Sequence, residues 1–195
     1  KSDSIVLYVF SIDHMKVNIT SLYSIVQKID RNWVGDMELM QLSEQVGQAL
    51  REAGITICAA ESCTGGLFLS ALTDISGSSA YVLGGVVSYS NEAKKQLVNV
   101  QEETLISYGA VSEPTAREMA LGAKSLFGAD IAISITGIAG PGGGTSEKPV
   151  GLVYTGLAHR KGVDVMRHVW SGNRSENKIQ SVVAAMQMVL ESLNE

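Results

Sequence analysis

The spacing of apolar residues becomes regular at about residue 37. Apolar positions recur from there at helical spacing, which predicts an amphipathic helix that ends at Gly54. This stripe consists of Leu39, Leu42, Val46, Leu50 and Ala53. The largely apolar run at residues 55–60 then predicts a short buried strand, and residues 64–73 predict a second helix.

The rest of the chain continues this alternation of strands and helices. Apolar runs at residues 82–89 and 131–135 predict two more buried strands, and residues 150–159 and 163–170 predict an antiparallel hairpin. Strands that alternate with helices are typical of a layered α/β domain, and the late hairpin indicates that its sheet is mixed. We therefore expect one α/β domain with a mixed sheet over residues 37–195.

The helices between these strands are indicated by their end signals. One follows the second strand and carries Lys94 and Lys95. Another begins at Glu113, because the proline that follows suits a first helical turn, and Gly128 closes it. The last helix begins at about Ser175 and has its own apolar stripe. That stripe consists of Ile179, Val182, Val183, Met186, Val189, Leu190 and Leu193.

Residues 1–36 differ from the rest of the chain. The apolar run at residues 5–10 could form a strand, and later apolar residues sit at helical spacing. Those residues are Leu22, Ile25, Val26 and Ile29. The segment carries no recognisable chemistry, and both a natural extension and an appended sequence stay open as its origin.

Composition limits the classes of partner. The chain has 195 residues, a net charge of −5 and a pI near 5.2, so it lacks the basic surface that nucleic acid or an anionic membrane would require. Its apolar runs are far shorter than the roughly 18 residues of a membrane span, and we expect no signal peptide. Cys58 and Cys63 indicate a reducing, cytoplasmic setting, and the histidines lack metal-ligand spacing. We therefore expect neither a metal nor another cofactor.

Ser62 is the first candidate for chemistry. It follows the apolar run at residues 55–60 and is backed by Gly65 and Gly66. A turn from strand to helix leaves free N–H groups around Cys63, Thr64 and Gly65, which suit a developing oxyanion. A serine at this place is therefore either a nucleophile or an ordinary helix cap.

Lys94 is the candidate base for such a serine. All three histidines lie elsewhere in the sequence, and a Ser-Lys pair is a known solution that needs none. The lysine would need a lowered pKa, which burial provides, whereas most lysines on helices are simply solvated. Tyr89 either orients the lysine or the substrate, or is an ordinary strand residue.

A glycine-rich loop follows the third buried strand. Its glycines are Gly137, Gly140, Gly142, Gly143 and Gly144. The loop fits neither the Walker A pattern nor the dinucleotide-binding pattern, so a mobile surface loop is almost as good an interpretation as an anion site. Arg174, just before the last helix, is either a phosphate ligand or an exposed residue at a helix end.

Five motifs in this chain resemble one family, the CinA C-terminal-domain family and its stand-alone nicotinamide-nucleotide amidases. They are Ala-Glu-Ser-Cys-Thr-Gly-Gly at 60–66, Ser-Tyr-Ser-Asn-Glu-Ala-Lys at 88–94, Gly-Ala-Val-Ser-Glu-Pro at 109–114, Gly-Ile-Ala-Gly-Pro at 137–141 and Lys-Pro-Val-Gly at 148–151. The resemblance covers residues 37–195. The large N-terminal domain of full-length members has no counterpart in this sequence, so we expect its activity to be absent.

The resemblance implies a three-layer α/β/α sandwich that converts nicotinamide mononucleotide and water to nicotinate mononucleotide and ammonia, in pyridine nucleotide salvage. By motif, Ser62 would be the nucleophile and Lys94 its base. Tyr89, Thr136 and Arg174 would line the substrate site, with the Ser62 turn and the glycine-rich loop holding the amide and the phosphate. No metal is implied. A homodimer is, and the exposed-looking Val and Met residues of the last helix could contribute to it.

Two alternatives to this activity stay open from the sequence. One is a binding or regulatory module that keeps the nucleotide pocket without turnover. The other is a serine hydrolase that acts on a different amide. An intact Ser62 and Lys94 favour an enzyme, because a module that only binds has no need of both.

Overall fold

The computed structural model describes residues 19–194, with side chains from Met37 onward. The strand predicted at residues 5–10 and His14 lie outside the described residues. The described part is a single α/β domain in which helices and strands largely alternate. Its elements are α1 (Ile19–Ala53), β1 (Ile57–Glu61), α2 (Leu67–Thr73), β2 (Val82–Val87), α3 (Asn91–Val98), α4 (Glu102–Tyr108), α5 (Glu113–Phe127), β3 (Ile131–Gly137), β4 (Leu152–His159), β5 (Gly162–Val169) and α6 (Arg174–Leu193).

The five strands form one mixed sheet in the order β2-β1-β3-β4-β5. β1 pairs in parallel with both β2 and β3, while β4 and β5 are antiparallel to their neighbours. Helices α1, α2 and α6 pack on one face of the sheet, and α5 packs on the other together with α3 and α4. The expected α/β/α sandwich with a mixed sheet is thus confirmed.

The strands bury side chains of different size on their two faces. Ile57, Ile133 and Ile135 point into the larger core cluster, which includes α1, α2 and α6. The alternate positions are small, such as Cys58 and Ala132, and they contact α5. Because successive side chains of a strand point to opposite faces, a run that is apolar throughout can fill both cores.

The ends of the helices follow from local capping. Ser112 accepts a hydrogen bond from the N–H of Thr115 at 3.4 Å at the start of α5, and Gly128 closes that helix in the left-handed conformation. Asn173 and Glu176 form a reciprocal capping box at the start of α6. These polar contacts fix where the two helices begin, next to the loops that later form the site.

Several element bounds differ from the predicted ones. Helix α1 begins at Ile19 and runs through residue 37, so the helical spacing seen in residues 22–29 belongs to the same helix. Gly35 and Asp36 are poor helix formers, which is why the sequence pattern is interrupted there. Helix α4 was not predicted, since a helix of that length shows barely two turns of periodicity.

The last helix faces the core with the residues expected at a dimer surface. Those residues, Val182, Met186, Met188 and Val189, are all buried against α1 and the sheet. These four residues are therefore not available to a partner, whereas Val183 of the same helix is only partly buried, and the homodimer stays a prediction. Among the described residues, no helix is long and apolar enough to span a bilayer.

Candidate active site

The carboxyl ends of the three parallel strands meet at one edge of the sheet. Parallel pairing places Glu61 of β1 opposite Val87 of β2 and Ile135 of β3. The residues that follow these three therefore lie side by side, and the N–H of Ser62 donates to the carbonyl of Ile135 at 2.9 Å. This is the edge at which open α/β sheets bind their ligands.

Lys94 and Ser62 are in direct contact at this edge. Lys94 lies one turn into α3, a helix that Ser90 caps, and its side chain is only 1% exposed. Its Nζ donates to Oγ of Ser62 at 3.0 Å, to the carbonyl of Ser88 at 2.7 Å and to the carbonyl of Tyr89 at 3.3 Å. The interpretation of Lys94 as a solvated surface lysine is therefore wrong.

Burial also sets the charge of Lys94. Desolvation lowers its pKa from 10.5 to about 8, opposed by a weaker interaction with Cys63 that raises the pKa. Burial also raises the pKa of the Cys63 thiol to about 11, so this thiol is protonated at neutral pH. At pH 7 about one Lys94 in ten is then a neutral amine, against about one in three thousand for an unperturbed lysine.

The carboxylate of Glu61 organises the turn after β1. This side chain is fully buried. Its Oε2 accepts the N–H groups of Gly66 at 3.0 Å and Phe68 at 3.2 Å, and its Oε1 accepts the N–H of Leu69 at 3.0 Å. A carboxylate is well placed there because the first turn of a helix favours negative charge. Ser62 makes none of these bonds, so its interpretation as the cap of α2 is wrong.

The same contacts change the set of expected oxyanion donors. Helix α2 begins later than predicted, and Glu61 occupies its first N–H groups. The N–H of Gly65 turns back to the carbonyl of Ser62 at 3.2 Å. Among the described residues, the N–H groups of Cys63 and Thr64 bond to no other residue. These two remain as candidate donors to an oxyanion.

A cavity of about 280 Å³ opens at Ser62 and Lys94. Eight of the ten predicted site residues line it: Ser62, Cys63, Tyr89, Lys94, Thr136, Gly137, Gly140 and Arg174. Thr64, which is fully buried, and the exposed Gly65 are the two predicted site residues that do not line the cavity. The structure thus brings together residues from three strand ends, the glycine-rich loop and the start of α6.

Thr136 and Lys148 shape one wall of this cavity. Thr136 is buried, and its Oγ1 donates to the carbonyl of Ala110 at 2.7 Å. Lys148 donates through Nζ to the carbonyls of Tyr108 at 2.6 Å and Val111 at 2.8 Å. Thr136 therefore acts on the site through the backbone it holds. Neither Lys148 nor Glu61 was predicted as a site residue. For Glu61, the one signal in the sequence was a carboxylate at the end of a buried apolar run.

Arg174 fixes the glycine-rich loop from the opposite side. Its Nη1 donates to the carbonyl of Gly140 at 2.7 Å, and its Nη2 lies 3.5 Å from the hydroxyl of Tyr89. Gly140 has a φ of 92°, which favours glycine. Tyr89 is 64% exposed, so it stands at the rim of the cavity rather than inside the domain. Both interpretations of Arg174 therefore remain open, because it borders the cavity and is also exposed at a helix end.

The histidines of the described residues lie away from this cavity. His159 is paired with Asp164 at 2.9 Å, and the His168 ring stacks on Trp170 with centroids 4.6 Å apart. Burial lowers the pKa of His168. Over residues 19–194 no cluster of three or more His, Cys, Asp or Glu side chains is arranged to hold a metal ion.

Comparison with known sequences identifies the family. The sequence model of the CinA C-terminal domain matches residues 39–193. The chain belongs to this family. It is 54% identical over 153 residues to the nicotinamide-nucleotide amidohydrolase PncC of Escherichia coli strain K12, covering 78% of this chain and 93% of that protein. The PncC of Enterobacter agglomerans is 48% identical over 158 residues, which are 80% of this chain and 96% of that protein.

Comparison with solved structures gives the same family. The competence/damage inducible protein CihA of Agrobacterium tumefaciens superposes with a TM-score of 0.78 at 42% sequence identity. The match covers 81% of this chain and 96% of the Agrobacterium chain. Sequence and fold therefore agree on the whole of the domain that carries Ser62 and Lys94.

Proposed function

We propose that this protein hydrolyses the carboxamide of nicotinamide mononucleotide to nicotinate mononucleotide and ammonia. The observation that carries the proposal is the contact of 3.0 Å between Nζ of a buried Lys94 and Oγ of Ser62 on the cavity wall. The two PncC relatives, which are named for this activity, support the choice of substrate. The reaction would belong to pyridine nucleotide salvage in the cytoplasm.

The surroundings of Lys94 suit a general base. A neutral amine has two N–H donors and one lone pair. The carbonyls of Ser88 and Tyr89 can take both donors, at 2.7 Å and 3.3 Å, so the lone pair is left to face the hydroxyl of Ser62. The lowered pKa makes that neutral form accessible near pH 7.

The chemistry then proceeds through an acyl-enzyme. Lys94 takes the Ser62 proton as Oγ bonds to the carboxamide carbon, and the N–H of Cys63, which lines the cavity, stabilises the oxyanion. The Lys94 ammonium returns its proton to the amide nitrogen, and the C–N bond breaks to release ammonia. A water activated by Lys94 attacks the ester, and nicotinate mononucleotide leaves with Ser62 restored. Each step uses groups of this chain and water.

Ammonia release from nicotinamide mononucleotide tests the proposal, with the wild type and Ser62→Ala and Lys94→Ala variants measured side by side. We expect release by the wild type and a loss of several orders of magnitude in either variant, because nucleophile and base act as one unit. Nucleotide binding by the folded variants should persist.

Three results would contradict the proposal. Rates like those of the wild type in either variant would exclude the Ser-Lys mechanism. Binding of the nucleotide without ammonia release by the wild type would indicate a binding module. Release from other amides in a substrate panel, with none from the nucleotide, would indicate a different hydrolase.

A further inference from the structure

A second, larger cavity adjoins the one that contains Ser62. Its volume is about 760 Å³, and the two cavities share Ala139 and Arg174. Two hydrogen bonds from α6 hold the shared wall in place. Arg174 donates to the carbonyl of Gly140 at 2.7 Å, and the buried Asn177 donates to the carbonyl of Ala139 at 3.0 Å. The backbone between the two cavities is therefore held by α6.

The second cavity is cationic. Arg174 and Lys178 both line it, and since they are four residues apart in α6 they lie on one face of the helix. No carboxylate lines it. Glu176, the acidic residue nearest to them in α6, uses its Oε2 to accept the N–H of Asn173 at 2.7 Å. Two positive charges therefore face this space without an opposite charge on its walls.

Lys178 lies in α6 and lines this second cavity. It is half-buried, yet it makes no hydrogen bond or ion pair with any residue that the structure describes. Its Nζ lies 3.9 Å from where a Cβ atom on Gly65 would stand, so it reaches the turn that carries Ser62. Partly burying an unpaired ammonium costs free energy, and an anionic ligand would repay that cost.

The reaction cavity is small for a nucleotide substrate. About 280 Å³ is just below the usual range of small-molecule sites, which is roughly 300–1,000 Å³. With the carboxamide of a nucleotide at Ser62, its phosphate lies at the far end of the ribose, and Lys178 lines the cavity that adjoins this one at Ala139 and Arg174. We propose that Lys178, together with Arg174, binds the phosphate of the substrate and thereby makes the enzyme prefer nucleotides to nucleosides.

This proposal rests on the proposed amidase function, and a comparison of two substrates tests it. Nicotinamide mononucleotide and its dephosphorylated analogue, nicotinamide riboside, are assayed with the wild type and with Lys178→Gln. We expect the variant to raise KM for the nucleotide about 10- to 100-fold with little change in kcat, because one charge-assisted hydrogen bond is lost. Kinetics with the riboside should not change. Arg167→Gln, an exposed residue of β5, is the control for loss of one positive charge.

Binding provides a second readout that needs no turnover. Calorimetry compares binding of nicotinamide mononucleotide to Ser62→Ala and to Ser62→Ala with Lys178→Gln, and we expect the same 10- to 100-fold loss. An unchanged affinity, or equal losses for nucleotide and riboside, would overturn the role of Lys178. Absence of ammonia release by the wild type would instead overturn the amidase function, and the binding comparison would still decide whether Lys178 contacts the phosphate.

Discussion

Replacing Lys94 by methionine should abolish catalysis. It should also remove the pH dependence that Lys94 gives to the free energy of unfolding. In the folded protein desolvation lowers the pKa of Lys94 to about 8, whereas the unfolded chain keeps the ordinary value of 10.5. Between these two pH values the unfolded chain holds one more proton than the folded one. The free energy of unfolding of the wild type therefore rises with pH across this window, relative to a variant that lacks the group.

The size of the effect follows from the difference between the two pKa values. A difference of 10.5 minus 8 corresponds to roughly 3 kcal/mol of stability, present in full above pH 10.5 and lost as the pH falls through 8. Between pH 7 and pH 9.5 the expected change is about 2 kcal/mol. Methionine fills a similar volume without charge, so Lys94→Met should lack this dependence while losing catalysis.

Urea unfolding of the wild type and Lys94→Met at pH 7, 8 and 9.5 measures the effect. The quantity of interest is the difference in unfolding free energy between the two proteins, because other titrating groups cancel in it. That difference should shift in favour of the wild type by about 2 kcal/mol from pH 7 to pH 9.5. A difference that stays constant would show that Lys94 keeps an ordinary pKa in the folded protein and would refute the reasoning.

Three further predictions follow from the site. In the wild type kcat/KM should rise about tenfold from pH 7 to pH 9, as Lys94 loses its proton, and then level off; a falling profile would contradict a neutral base. Glu61→Gln should lower the unfolding free energy by about 1–3 kcal/mol, since an N–H of α2 loses its acceptor, and should lower kcat more than it raises KM; an unchanged melting temperature would count against this. Arg174→Ala should mainly raise KM, and a large fall in kcat at constant KM would argue against a binding role.

Periodicity and helix-end signals determined the order of helices and strands along the chain, except for α4. Runs such as residues 131–135 are apolar except at Ser134, and a strand that is buried on both faces favours such a run. Capping residues such as Ser112 and Gly128 act within a few residues along the chain, so their effect on helix ends can be read locally. Local sequence signals also predicted that Ser62 lies on a turn after a strand. Local sequence signals did not predict the helix at Gly35, which continues there because of packing rather than helix propensity.

The state of the candidate site was decided by tertiary contacts. Sequence spacing cannot show whether Lys94 is solvated, because its burial depends on the parallel pairing of β1 and β2, which sets Ser62 beside Ser88. Glu61 lies at the end of an apolar run. The three N–H groups that donate to its carboxylate come together only when the start of α2 folds back over the end of β1. Burial in a low-dielectric interior is what lowers the pKa of Lys94, and burial is a property of the folded domain.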